Sequence, residues 1–327
     1  MGKIEVVPSA VNPLKIEYTQ LSTRFDAEHG ILWSLMNPVG VPCFSQKFVD
    51  EVLLHQRSIE DSGGSIWLGG KLHPIRYSVA HSQIPGVFNL GGDLDLFSTL
   101  IRKGDRQALM QYATRCIDIS MPRVNHYNLP IITVSLIQGD ALGGGLESAL
   151  TSDVIIAERS SKMGFPEILF NLIPGMGAYS LVSRKVGFAL AEEMILSGKM
   201  YSAEDLYELG LVDVLAEDGE GEDAVYDYVR KQRRHFNGYL ALQRVRHRFN
   251  PVKYQELMDI TTIWVDAALQ LGENDLKVMD RISRSQQKRF GQIERTHHNI
   301  PATQELAEDL IYIGALERRK VPRTLHA

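Results

Sequence analysis

Hydrophobic and polar positions change period several times along this chain, and each change predicts an element. Residues 131–137 (IITVSLI) are uninterruptedly apolar and β-branched, the pattern of a short strand buried on both faces. Gly139 is predicted to end it, and Gly143, Gly144 and Gly145 precede a helix-like run, LESALTS. Upstream, Asn12-Pro13 closes a loose leader, and residues 14–37 alternate like two strands joined through 26–30. Ser45 is placed to cap a helix whose apolar residues, FVDEVLLHQRSI, recur at helical spacing. Residues 61–74 form a glycine-rich excursion, after which 75–82 and 86–90 read as strands and Gly91-Gly92-Asp93 turns the chain. A long helical stretch interrupted near Gly104 follows. Strand–helix units continue to 217, which predicts an α/β fold: a parallel sheet wrapped by helices.

An acidic loop at 217–223 marks a composition shift and divides a core, 1–217, from a helical C-terminal region, 218–327. Helices are predicted there at 224–249, 253–271, 275–290 and 302–318, broken at Asn250-Pro251, Gly272 and Ile300-Pro301. Ile260, Ile263, Trp264, Ala267 and Leu271 make an apolar stripe, read as core or as the wall of an acyl tunnel.

The glycine triplet carries the first candidate chemistry. Between a buried strand and a helix it lets a ligand approach the backbone, with helix N-terminal amides facing negative charge. Such a turn also serves as a phosphate cradle. Here, however, there is no GK[ST], and Ser180 stands where a third glycine would complete GxGxxG after Gly175 and Gly177. Glu147 lies two residues beyond the triplet, and Glu167 follows in the turn-like GFPEILF. Amide donors with two carboxyls suit enolate chemistry beside a thioester carbonyl: the amides hold the oxyanion and the carboxyls move protons.

Charge and composition trim the alternatives. A formal net charge of −5 gives no global case for nucleic acid. Cys43 and Cys116 form no metal-binding or redox pattern and suit a reducing compartment. The histidines show no HxxxH or HExxH register, so no metal site is expected, and no GxSxG elbow supports a serine esterase. No apolar run approaches a membrane span and the N-terminus lacks a signal-peptide core, so a cytoplasmic location is expected. Basic residues cluster at Arg230, Lys231, Arg233, Arg234, Arg244, Arg246 and Arg248, with four more cations over 281–289. They read either as a solvated helix face or as a dock for an anionic carrier.

ALGGGLESALTSDVIIAE and FPEILFNLIPGMGAYSLVSRKVG together resemble the signature region of the crotonase (enoyl-CoA hydratase/isomerase) superfamily. GVFNLGGDLDLF at 86–97 resembles its other oxyanion segment, and the likeness runs in order from about residue 30 to 217. The resemblance implies a crotonase-like spiral of ββα units, with Glu147 and Glu167 as the two catalytic glutamates. It also implies oxyanion donors from Leu90 or Gly91 and from Gly144, and an acyl pocket including Leu142, Met176 and Trp264. With the long basic C-terminus, the pattern resembles the diffusible-signal-factor synthases. Ala178-Tyr179-Ser180 and Leu146 depart from ordinary hydratases in the same direction.

That resemblance implies dehydration of a 3-hydroxyacyl-acyl carrier protein to the cis-2-enoyl thioester, then hydrolysis to the free acid. The acyl group would arrive on acyl carrier protein or coenzyme A as substrate, with no cofactor of the protein's own. A sensor kinase receiver domain is an implied partner, and a homo-oligomer, trimer or hexamer, follows by analogy. An ordinary enoyl-CoA hydratase and a crotonase scaffold that binds a signalling partner remain the alternatives.

Overall fold

A computed structural model describes residues 11–298. The helix expected at 302–318 lies outside them. In chain order the elements are β1 (Leu21–Asp26), β2 (Ile31–Met36), α1 (Gln46–Asp61), β3 (Ser65–Leu68), β4 (Lys71–Pro74), β5 (Tyr77–Ser82) and β6 (Gly86–Asn89). Next come α2 (Leu94–Lys103), α3 (Arg106–Val124), β7 (Ile132–Ile137), β8 (Gly139–Leu142), α4 (Gly144–Leu150), β9 (Val154–Glu158) and β10 (Lys162–Gly164). Then α5 (Ala178–Val186), α6 (Phe188–Ser197), β11 (Met200–Ser202), α7 (Ala203–Glu208) and β12 (Val214–Ala216) complete the α/β part. Helices α8 (Gly221–Gln232), α9 (Phe236–Phe249), α10 (Tyr254–Ala268) and α11 (Glu273–His298) follow.

Two sheets organise the chain. The larger has the order β1-β2-β5-β7-β9-β12, antiparallel only at β1-β2, and the smaller has the order β11-β10-β8-β6. Each turn of the spiral gives one strand to each sheet: β5 then β6, β7 then β8, β9 then β10. This is the ββα spiral of the crotonase fold. Strand β7 ends at Ile137, just before Gly139 as expected, and Gly139 opens β8 at the corner between the sheets. A Cβ there would lie 2.1 Å from the Gly86 carbonyl carbon, so only glycine lets the corners of adjacent turns stack.

Local chemistry sets the other boundaries. At the β1–β2 turn the Asp26 carboxylate accepts from the amides of Glu28 and His29, and Gly30 adopts φ +69°. Strand β1 starts only at Leu21, later than alternation from residue 14 suggested. The glycine-rich 61–74 excursion is the β3–β4 hairpin. Asp93 caps α2 through Leu96 N, left-handed Gly104 closes it, and Asp105 caps α3 through Ala108 N. The single helix expected at 224–249 is broken in two, with His235 heading α9.

Alternation along the buried strands divides the core. Ile132, Val134 and Leu136 with Val154 and Ile156 face a cluster containing Trp33 and Val225, against which Phe236 and Tyr239 pack. Ile137, Ile155 and Ala157 belong to the larger cluster with Phe97, Tyr112, Leu146, Trp264 and Met279. Helices α8 and α9 thus cover one face of the large sheet, whereas α10 and α11 belong to the other side, packed on α3 and α2. On α10 the buried face is Leu257, Thr261, Trp264, Val265 and Ala268; Ile263, counted in the expected stripe, is 61% exposed.

Candidate active site

The two glutamates reach one cavity from different elements. Glu147 sits in the first turn of α4 and is only 3% exposed. Its Oε1 accepts from the amides of Met176 (2.8 Å) and Ala178 (2.9 Å). That loop is in turn held by α10: Thr261 Oγ1 donates to the Gly175 carbonyl at 3.0 Å, and Trp264 packs on Gly175. A Cβ on Gly175 would lie 2.2 Å from the indole. Burial raises the Glu147 carboxyl to about 7 against the pull of its two amide donors.

Glu167 follows Pro166 in a single 3-10 turn, Pro166–Phe170, after β10. Its carboxyl lies against Gly143, where an added Cβ would come within 2.3 Å of Oε1 and where φ is +52°. Its Oε2 is buried with no hydrogen-bond partner among the described residues. Burial, and then the nearby Glu147 carboxylate, raise Glu167 to about 8. Two adjacent carboxyls with these environments hold a single proton between them near neutrality.

Backbone donors complete the site, at one position different from expectation. Leu90 N donates to the Pro42 carbonyl at 2.8 Å, and Gly91 N to Asn89 Oδ1 at 2.8 Å, so both amides are already engaged. The donor that remains in this turn is Gly92 N, and no described residue accepts from it or from Gly144 N, the first residue of α4. The two amides are neighbours: a Cβ on Gly144 would lie 3.3 Å from Gly92 N, and one on Gly91 3.1 Å from Gly144 N. Gly92 stands immediately before the helix-capping Asp93, the one signal in the sequence that marks it. Gly91 adopts φ +96° and its Cα packs on the Leu142 carbonyl.

Glu147, Glu167, Gly92 and Gly144 all line a cavity of about 770 Å³, part of it open to solvent. Met176 and Trp264 line it as well, with Phe97, Phe170 and Leu172; Leu142 does not, being spent on β8. Its α11 wall is Ile282 and Gln286, which sequence periodicity did not single out. Helix α11 is strapped to α2 by Arg102 to Asp280 (2.8 Å) and by Ser283 Oγ to Asp95 (2.6 Å). The basic run at 230–248 is exposed on α8 and α9, across the large sheet from this cavity, whereas exposed Arg281, Arg284 and Lys288 lie on α11 beside it. Among the described residues no group of His, Cys, Asp and Glu could hold a metal ion.

Residues 79–259 match the family model for enoyl-CoA hydratase/isomerase. The chain belongs to that family. The mitochondrial methylglutaconyl-CoA hydratase of Rattus norvegicus is 33% identical over 152 residues, 46% of each protein. The chain spans about half the length of the curated relatives it matches. Among solved structures, an enoyl-CoA hydratase from Bacillus halodurans superposes with a TM-score of 0.67 at 17% identity, covering 80% of this chain and 100% of that one. DspI of Pseudomonas aeruginosa superposes at 0.57 and 22% identity, covering 72% and 90%. These structures share the fold. No helix among the described residues is long and apolar enough to cross a membrane.

Proposed function

We propose that this protein is a diffusible-signal-factor synthase: it dehydrates a 3-hydroxyacyl thioester to the cis-2-enoyl thioester and hydrolyses that to the free acid. The observation that carries the acid–base chemistry is the pair of buried carboxyls, both raised toward neutrality, facing the unengaged amides of Gly92 and Gly144. The thioester carbonyl accepts from these two amides, which hold the negative charge as the enolate forms. Of the single proton shared by the pair, Glu167 is the resting seat, because two backbone amides favour the ionised form of Glu147 whereas Glu167 Oε2 is buried with no partner among the described residues. In hydration, Glu147 takes a proton from water as the oxygen adds to C3, and Glu167 gives its proton to C2. Dehydration is the reverse, with the proton starting on Glu147 and leaving with the C3 hydroxyl as water. In hydrolysis the same pair orients and deprotonates water for attack on the carbonyl, and the carrier thiol departs protonated.

The signal-synthase step and the acyl carrier protein rest on the sequence resemblance, supported by exposed cations on α11 at the cavity. Arg281, Arg284 and Lys288, on the helix that lends Ile282 and Gln286 to the cavity wall, offer an acidic carrier protein a docking edge. A second reading, an ordinary enoyl-CoA hydratase, is favoured by the hydratases among the relatives. Mass spectrometry of the protein incubated with 3-hydroxydodecanoyl-acyl carrier protein, beside crotonyl-CoA, separates them. Free cis-2-dodecenoic acid supports the first reading. Hydrated crotonyl-CoA without free acid establishes the second, and no turnover of either thioester would overturn both.

A further inference from the structure

Beside the catalytic cavity lies a second one, about 580 Å³ with the space it shares with open solvent included, that the chemistry above does not use. The two share a wall made of Phe44, Ile119, Ser120 and Ser148. Two of these are small side chains bonded back on their own helices: Ser120 Oγ to the Cys116 carbonyl and Ser148 Oγ to the Gly145 carbonyl. Leu21, Met36, Val52 and Phe88 give the second cavity apolar sides. An extension of the acyl pocket made only for an alkyl tail would be apolar throughout.

This one ends in charge. Arg123, near the C-terminus of α3, is 8% exposed and lines the second cavity. Its guanidinium donates to Thr151 Oγ1 (3.3 Å), the Val134 carbonyl (3.1 Å), the Tyr127 hydroxyl (3.5 Å) and Ser152 Oγ, all neutral acceptors. It forms no ion pair with a carboxylate among the described residues, although a buried cation is ordinarily paired. The neighbouring His55 bonds Ser34 Oγ at 2.7 Å, and burial together with the Arg123 charge pushes it down to about 3, so it stays neutral. Gln56 Oε1, on the same wall, is buried without a partner. One cation without a carboxylate partner among the described residues and one orphaned acceptor therefore line a space that shares a wall with the acyl pocket.

We propose that the protein takes acyl thioesters whose chain ends in a carboxylate, the tail passing between Ser120 and Ser148 so that the carboxylate pairs with Arg123. This rests on the thioester reading of the front cavity and specifies its substrate class at the end away from the reaction. Pairing of a carboxylate with guanidinium is charge-assisted, and the neutral bonds of Arg123, which occupy Nε, both hydrogens of Nη2 and one of Nη1, fix it in place with one N–H left for the ligand.

Calorimetric binding tests this without needing turnover. The probes are coenzyme A thioesters of dodecanoic acid, of dodecanedioic acid, and of its ω-carboxamide, on the wild-type chain. A charge-assisted bond of the usual strength makes the ω-carboxylate bind about tenfold tighter than either neutral tail. The same ratio, measured in Arg123→Met, is expected to fall to about one, since removing the cation leaves nothing for the carboxylate to pair with. Because each ratio is taken within one protein, general loosening of the variant does not produce the effect, and if the variant does not fold, the carboxylate-to-carboxamide ratio of the wild type decides alone. Equal or weaker binding of the ω-carboxylate in the wild type, or an unchanged ratio in a folded Arg123→Met, overturns the proposal. Selective binding of the ω-carboxylate with no turnover of any thioester would sink the reaction reading and leave the tail site standing. Turnover of plain chains with no selectivity would do the reverse, and failure of all three thioesters to bind would overturn both.

Discussion

The two glycine turns of the site end neighbouring parallel strands, β6 and β8, yet they are stiffened differently. The turn after β6 combines backbone bonds to the 42–44 segment, Leu90 N to the Pro42 carbonyl and Phe44 N to the Gly91 carbonyl, with side chains: Asn89 Oδ1 takes the Gly91 amide, and the Tyr112 hydroxyl donates to the Phe44 carbonyl while receiving Asp93 N. The turn after β8 is held by backbone, Gly143 N donating to the Gly164 carbonyl, and by a glutamate lying against it. Both turns leave one amide unclaimed at the cavity. The lesson is that a donor's availability is decided by what its neighbours have already accepted, not by the glycines alone.

The largest effect belongs to the two carboxyls that meet at the second turn, Glu147 of α4 and Glu167 lying against Gly143. Glu147→Gln and Glu167→Gln should each lower turnover by about 10²–10⁴-fold with an unchanged circular dichroism spectrum. Full activity in either single variant would remove the paired-carboxyl mechanism. Next comes Gly143→Ala, which forces Glu167 Oε1 aside and imposes φ +52° on alanine. A loss of about 10²-fold in kcat is expected, because misplacing a reacting group by an ångström costs that much. The first turn should yield less. Tyr112→Phe removes one bond that positions the Gly92 amide, and a drop of about three- to tenfold in kcat with KM little changed is expected. A rise in KM with kcat unchanged would instead point to a role in binding.

Stability against pH gives the smallest and most diagnostic effect. Both glutamates are raised in the folded chain above the ordinary carboxyl value of about 4.3. Protonated, each is accommodated; as pH climbs from the unfolded value through about 7 to 8, ionising them in the buried site destabilises the fold. Their contribution to stability therefore falls over that window, and Glu167→Gln should melt higher than wild type at pH 8 but not at pH 5. Equal melting temperatures at both pH values would contradict the burial of that carboxyl.

Much of this was legible in the sequence, and what was not shares a cause. The apolar run at β7, the triple glycine and the two glutamates beside glycine or proline are local signals, and the family's order of segments extends them. Gly92 was missed because Leu90 and Gly91 look equivalent until Pro42 and Asn89 are seen to take their amides. The corner at Gly139 was missed because β8 pairs only with strands distant in sequence, β6 and β10. Leu142 carried the right chemistry in the wrong place: it is the last residue of β8 and is not among the residues that line the cavity, which Ile282 and Gln286 help close. Arg123, buried inside a helix with neutral partners, offered no pattern at all.

The central claim is that Glu147 and Glu167 share one proton. The dependence of kcat/KM on pH, measured for whichever thioester proves productive, tests it most directly. The account predicts a bell whose limbs fall near 7 and 8, with one limb lost in each Glu→Gln variant that retains measurable rate. A rate flat from pH 5 to 9 on the wild type, roughly the range over which such a pair must titrate, would contradict it.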